Sequence, residues 1–206
     1  MATTKAILAE QVMRFLAGGN LKPDRNIDIR EVMLYVDQCR DDMCRQSVFE
    51  SIKRGEYDID ADFLTYYDSV TIETDSVRAM KYITLPAARV SLPKDMGIYQ
   101  ISPAENQADL FIPIKAGQLW MYRDTQTFLA ELNTYYFSVG NKVYFSNIDD
   151  AITEVMLVLV AASSSFSQDA VYPIPSDYEK IIIDTVLERF GVHKQIPHDE
   201  IEDGNK

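Results

Sequence analysis

Thr134-Tyr-Tyr-Phe-Ser-Val139, Gly140-Asn141, Lys142-Val-Tyr-Phe-Ser146 is the stretch that decides the fold class. Two runs rich in aromatic and β-branched residues flank a two-residue Gly-Asn link, the sequence pattern of a tight β-hairpin. Strand signals continue outward from it. Val70-Thr-Ile-Glu-Thr74 alternates apolar and polar residues, and Ala79 to Leu85 reads as its hairpin partner. Gly97-Ile-Tyr-Gln-Ile-Ser102 and Asp109 to Pro113 read as further short strands. Pro86, Pro93, Pro103 and Pro113 punctuate them, and proline belongs at sheet edges because it has no N–H for the ladder. Ile152 to Val160 reads as one more strand, although a run so apolar leaves a helix open on periodicity alone. Gln118 to Leu132 is the least defined stretch, with a short helix around Thr127 to Leu132.

Helical spacing brackets this block of strands. Ile7, Leu8, Val12, Phe15 and Leu16 predict an opening helix, stopped by Gly18-Gly19-Asn20. Asp28 followed by Glu31 matches a capping box and starts a second helix, which Gly55 closes after Arg54. Ile29, Val32, Met33, Val36, Cys39 and Met43 trace its apolar face, and Arg30, Asp37, Arg40 and Asp41 its charged one. Ser163 to Asp169 is Ser-rich and predicts a mobile loop. Tyr172-Pro-Ile-Pro175 then leads into a last helix, with Ser176-Asp-Tyr-Glu179 as another capping box and Ile182, Val186, Leu187 and Phe190 as its buried stripe. Gly191 fits its end. Val192 to Lys206 is polar and acidic, contains Pro197, and predicts an extended tail.

The pattern is α+β. A helical part, 1–62, precedes an antiparallel β domain, 63–162. A loop and helix, 163–191, return to pack on the helical part, and the tail, 192–206, extends from it. No internal repeat is visible.

The 206 residues hold 32 acidic and 20 basic side chains, a formal net charge of -12. Phosphate contacts need clustered Lys and Arg, so this balance argues against a nucleic-acid-binding surface and against docking on anionic membranes. Val155 to Ala162, the longest apolar run, falls well short of the roughly 20 residues that span a bilayer. Cys39 and Cys44 are five positions apart on a predicted helix and point in different directions, which disfavours a disulfide and fits a reducing cytoplasm.

Little in the sequence offers catalysis. His193 and His198, the only histidines, lie in the predicted tail, without a core to orient them. Asp58-Ile-Asp-Ala-Asp62 resembles the start of a calcium loop, but Phe63 stands where glycine should make the turn and Ser69 where a bidentate glutamate should close the site. Gly18-Gly19 lacks the spacing and lysine of a phosphate loop, and Ser163-Ser-Ser165 lacks a nucleophile elbow. The residues therefore predict no catalytic group, no metal and no cofactor.

Met1-Ala-Thr-Thr4 before a short helix, and the β block ending near Asn141-Lys-Val-Tyr-Phe145, resemble podovirus-type tail adaptor proteins. Tyr172-Pro-Ile-Pro-Ser-Asp-Tyr-Glu179, the helix ending at Phe190, and Lys194-Gln-Ile-Pro197 with Asp199 and Asp203 resemble the neck-ring proteins of crAss-like phages. The resemblance covers the first and last thirds of the chain. It implies a head-to-tail connector of a virion, assembled in the host bacterial cytoplasm. Such subunits close into a ring, dodecameric to match the portal, through which DNA passes without sequence recognition. The implied partners are the portal protein and other neck or tail rings. Tyr172, Pro173, Pro175, Ile196, Pro197 and Ile201 are the candidate interface residues. A stopper, tail terminator or lower ring is the near alternative, and a cytosolic enzyme the distant one.

Overall fold

The computed structural model describes residues 3–17, 27–56, 58–118 and 133–191. It is mixed α+β. Three α-helices, α1 (Lys5–Leu16), α2 (Ile29–Arg54) and α3 (Ser176–Arg189), accompany eight strands among these residues. The strands are β1 (Thr65–Thr71), β2 (Glu73–Asp75), β3 (Met80–Thr84), β4 (Ile98–Pro103), β5 (Ile112–Pro113), β6 (Tyr135–Val139), β7 (Lys142–Ser146) and β8 (Glu154–Leu159). The predicted stops at 18–20, the helix at 127–132 and the tail at 192–206 lie outside the described residues.

The hairpin forms as read. Tyr135 to Val139 pairs antiparallel with Lys142 to Ser146. Gly140 has a φ of 62° while Asn141 does not join it on the positive side, the pattern of a type II′ turn whose first central position favours glycine. The strands divide into two sheets, in the orders β1-β8-β4 and β2-β3-β7-β6-β5. The single strand read at 70–74 is therefore two pieces. It breaks at Ile72, whose N–H bonds to the Thr153 carbonyl, and the chain passes from one sheet to the other. The block is also not wholly antiparallel, because the two-residue β5 lies parallel to β6.

β8 explains the long apolar run. Val155, Leu157, Leu159 and Ala161 join Ile83, Tyr136, Val143 and Phe145 in a core shared by the two sheets. Met156, Val158 and Val160 face the other way, onto Cys44 and Val48 of α2 and onto Phe63. A strand buried on both faces loses the polar alternation of a surface strand. The layers are thus helices, the three-stranded sheet, and the five-stranded sheet. The helical layer has its own core, in which Leu8 and Val12 of α1, Val32 and Val36 of α2, and Ile182 and Val186 of α3 meet.

The helix ends follow sequence with one exception. Asp28 caps α2 by accepting from the Arg30 N–H, and Gly55 ends it at φ 79°. The expected cap of α3 does not form. Pro175 is the capping position, without a side-chain hydrogen bond, and Ser176 is already helical. Glu179 instead accepts a hydrogen bond from Thr3 Oγ1. The N-terminal residues are held by the same neighbourhood, since the Tyr172 N–H donates to the Thr3 carbonyl.

The charged face assigned to α2 needs correction. Arg40 is completely buried. Its guanidinium donates to the carbonyls of Ala161 (2.7 Å), Pro173 (3.1 Å) and Phe63 (3.3 Å), and to Asp41 Oδ1 at 3.1 Å. The Phe63 and Phe166 rings flank it. Asp41 Oδ1 also accepts from the Ser163 N–H and hydroxyl. Asp37 takes Lys5 Nζ at 2.8 Å and the Tyr172 hydroxyl at 2.8 Å. Three residues of the charged face, Asp37, Arg40 and Asp41, are the polar joint between helices and strands. The predicted mobile loop is likewise anchored at its start, where Ser163 is fully buried and helical in a short turn.

Candidate functional site

The interface residues expected from sequence separate in the structure. Tyr172 is only 2% exposed, with its ring against Phe166 and its hydroxyl on Asp37. Burial and the Asp37 charge raise its phenol well above the ordinary range. Pro175 is buried and Pro173 half-buried, its carbonyl engaged by Arg40. Tyr172 and Pro175 therefore take part in internal packing. Ile196, Pro197 and Ile201 lie outside the described residues, as do His193 and His198.

Among the described residues lies a groove of about 980 Å³. It lies between edge strand β4 and strand β6. Ile98, Ile101, Phe111, Tyr136 and Phe137 line it, and Tyr99, Leu110 and Lys115 border it. Tyr99 and Leu110 are 45% and 57% exposed, so the apolar surface continues out of the groove. The strand register shifts between Ile98 and Gln100, a bulge at Tyr99. Bulges re-aim side chains and interrupt pairing at sheet edges.

Among the described residues, backbone hydrogen bonding around the groove is incomplete on the strand side. The segment 111–114 steps from one sheet to the other: the Phe111 N–H bonds to the Ile101 carbonyl of β4, and the Ile114 N–H bonds to the Tyr136 carbonyl of β6. β5 pairs with β6 only at Tyr135 and Tyr136. Phe137, Ser138 and Val139 therefore have no strand on that edge among the described residues. An edge of this kind is a template for another extended chain.

The polar groups at the groove are engaged with one another. Arg89 Nη1 lies 2.8 Å from Asp95 Oδ1 as an ion pair that is not a directed hydrogen bond. Ser138 Oγ donates to Asp95 Oδ2 at 2.6 Å and accepts from Arg89 Nη2 at 3.0 Å. Tyr136 is pushed up to about 12, by burial first and by the Asp95 charge second, so it is a neutral phenol at ordinary pH. Among the described residues no group of three His, Cys, Asp or Glu could hold a metal ion. Asp58 and Asp60 of the calcium-like stretch instead accept from the Ile59 and Asp62 N–H groups, and Ile59 and Phe63 are buried.

Sequence reasoning missed the groove because its parts are dispersed. Ile59, Arg89, Asp95, Tyr99, Leu110 and Ser138 share no spacing, and only the pairing of the sheets brings them together. The prolines at 103 and 113 were the available signal, since they mark the ends of short edge strands. No helix among the described residues is long and apolar enough to cross a membrane. No protein-family model matches the chain, and no curated protein matches it.

Proposed function

We propose that this chain is a non-catalytic assembly subunit, a ring-forming adaptor in the head-to-tail neck of a tailed bacteriophage of the crAss-like, podovirus type. The observation that carries the proposal is the groove: a largely apolar cleft beside a strand edge that has no partner strand among the described residues, with Arg89, Asp95 and Ser138 engaged with one another. Such a site suits a polypeptide segment better than a reacting small molecule. The resemblance of 172–197 to neck-ring proteins supplies the setting.

A ring needs a rigid body with two different complementary patches, because head-to-tail contacts generate closed rings. The three-layer body, tied together by Arg40, Asp37 and Asp41, fits the first need. Its partners would be identical neighbours, twelve to a ring, with the portal above and further tail components below. A net charge of -12 would let DNA pass without adhering. The test is to mix the purified chain with portal and image the product by electron microscopy. The expected result is a closed ring coaxial with the portal. A chain that stays monomeric and leaves the portal bare overturns the proposal, as does turnover of a small molecule by the purified protein.

A further inference from the structure

The two sheets enclose one core, and each turns its other face outward. Val143 and Phe145 of β7 and Ile83 of β3 point into that core, so Tyr144 and its cross-strand partner Tyr82 point out of the five-stranded sheet. Leu157 and Leu159 of β8 enter the core from the other sheet, so Val158 and its cross-strand partner Tyr66 point out of the three-stranded sheet. The two outward faces therefore look in opposite directions. The first carries an ordered cationic tip. Between β2 and β3 the Asp75 carboxylate accepts the Val77 and Arg78 N–H groups at 2.9 and 3.2 Å, and the Arg78 guanidinium lies 4.7 Å from the centre of the Tyr144 ring. Lys142 Nζ lies 3.9 Å from the centre of the Tyr82 ring. Val77 is 92% exposed. Neither Arg78 nor Lys142 has a carboxylate at ion-pair distance among the described residues. A guanidinium stacked on a ring keeps its N–H fork at the edge, open to a carboxylate. The second face carries phenols and acid. Tyr66, across β8 from Gln100, and Tyr99, at the bulge before Gln100, are 59% and 45% exposed. Asp58 and Tyr66 are both neighbours of Tyr99, and after burial they are what raises its phenol. Asp58, Asp60 and Asp62 are exposed, with no cation at ion-pair distance among the described residues.

We propose that the hairpin tip of one copy of this chain docks on the tyrosine face of a second copy, with the Arg78 guanidinium on the Asp58 carboxylate and the Val77 side chain against the Tyr66 and Tyr99 rings. The inference rests on the ring reading and names a contact that would build the ring. Three observations select a second copy as the occupant. First, charge: copies of a chain with a net charge of -12 repel one another, so they associate where a basic point meets an acidic one. Second, the tip is held in shape before any contact, by Asp75 on one side and Tyr144 on the other, so docking costs little ordering. Arginine and tyrosine are also the side chains that dominate binding energy at interfaces. Third, tip and tyrosine face look opposite ways, so they do not meet within one chain. A contact between two different patches on opposite faces repeats from copy to copy, the head-to-tail geometry that closes into rings.

Val77→p-benzoylphenylalanine, on a fully exposed side chain, tests this in the intact chain. The variant is mixed with nitrogen-15-labelled unsubstituted chain and irradiated, alone and with portal present. Mass spectrometry then locates the cross-links, and electron microscopy of chain plus portal is run in parallel. The expected cross-links join an unlabelled chain to a labelled one and fall on Tyr66 or Tyr99. Arg78→Glu in the photoactive chain is expected to cut their yield by about tenfold, and Asp58→Arg in the labelled chain to restore most of it, while circular dichroism of each variant stays unchanged. Cross-links that fall elsewhere, that join tip to tip, or that are absent overturn this inference, as does a charge swap that restores nothing. Portal-bound rings seen alongside any of those results leave the ring reading standing. Cross-links on Tyr66 or Tyr99 without portal-bound rings overturn the ring reading and leave this contact standing.

Discussion

At the scale of single residues, Arg40 matters most. A guanidinium with no exposure, held by three carbonyls and one carboxylate, cannot be removed without stranding them. Breaking a buried ionic cluster from one side costs about 3–5 kcal/mol. Arg40→Met is expected to lose an amount in that range, measured by urea unfolding, and Arg40→Lys is expected to recover little because an ammonium lacks the planar fork. Gly97 is a second sensitive position, where an added Cβ would lie 2.6 Å from the Val90 carbonyl oxygen. Since that neighbour is backbone in a hydrogen-bonded loop, Gly97→Ala is expected to lower the melting temperature by several degrees, about 1–3 kcal/mol of overpacking. The thiols behave oppositely to reactive cysteines. Burial raises both, Cys44 to about 11, so a disulfide reagent is expected to leave them untouched in the native protein and to titrate both after denaturation.

At the scale of elements, β8 is the strand on which the layers depend. Leu157 is fully buried in the core between the sheets, and Leu157→Ala is expected to destabilise by about 2–5 kcal/mol in calorimetry or denaturant unfolding. The elements also show what was legible beforehand. The hairpin at 134–146, α2 with its Asp28 and Gly55 ends, and the long apolar strand follow from local rules, because turn geometry and capping are decided within a few residues. The break at Ile72, the parallel β5 and the lost cap at Ser176 do not, because each depends on a partner distant in sequence. Arg40 was misread for the same reason: helical periodicity places it on a face but cannot tell that strands and loops cover that face. The groove lay beyond sequence reading altogether, being lined by residues from both sheets and the loops between them.

At the scale of the whole molecule, the fold is sensitive to alkaline pH. Folding raises Cys44 from 9.0 to about 11 and Tyr136 from 10.0 to about 12. Each therefore favours its neutral form when folded. Their contribution to stability is complete below pH 9 and is lost as pH climbs through 11 and then 12. Denaturant midpoints are expected to fall across that window, and Cys44→Ala is expected to flatten the early part of the decline. A further consequence comes from the joint between the first helix and residues close to the last. Lys5 is bonded to the Ser163 carbonyl, 158 positions away, and the helical core needs Tyr172, Ile182 and Val186 for completion. On a translating ribosome, α1 and α2 must wait with their apolar stripes uncovered until residues 163–187 emerge. Nascent chains stalled before residue 172 should be bound by holding chaperones and readily cleaved by proteases.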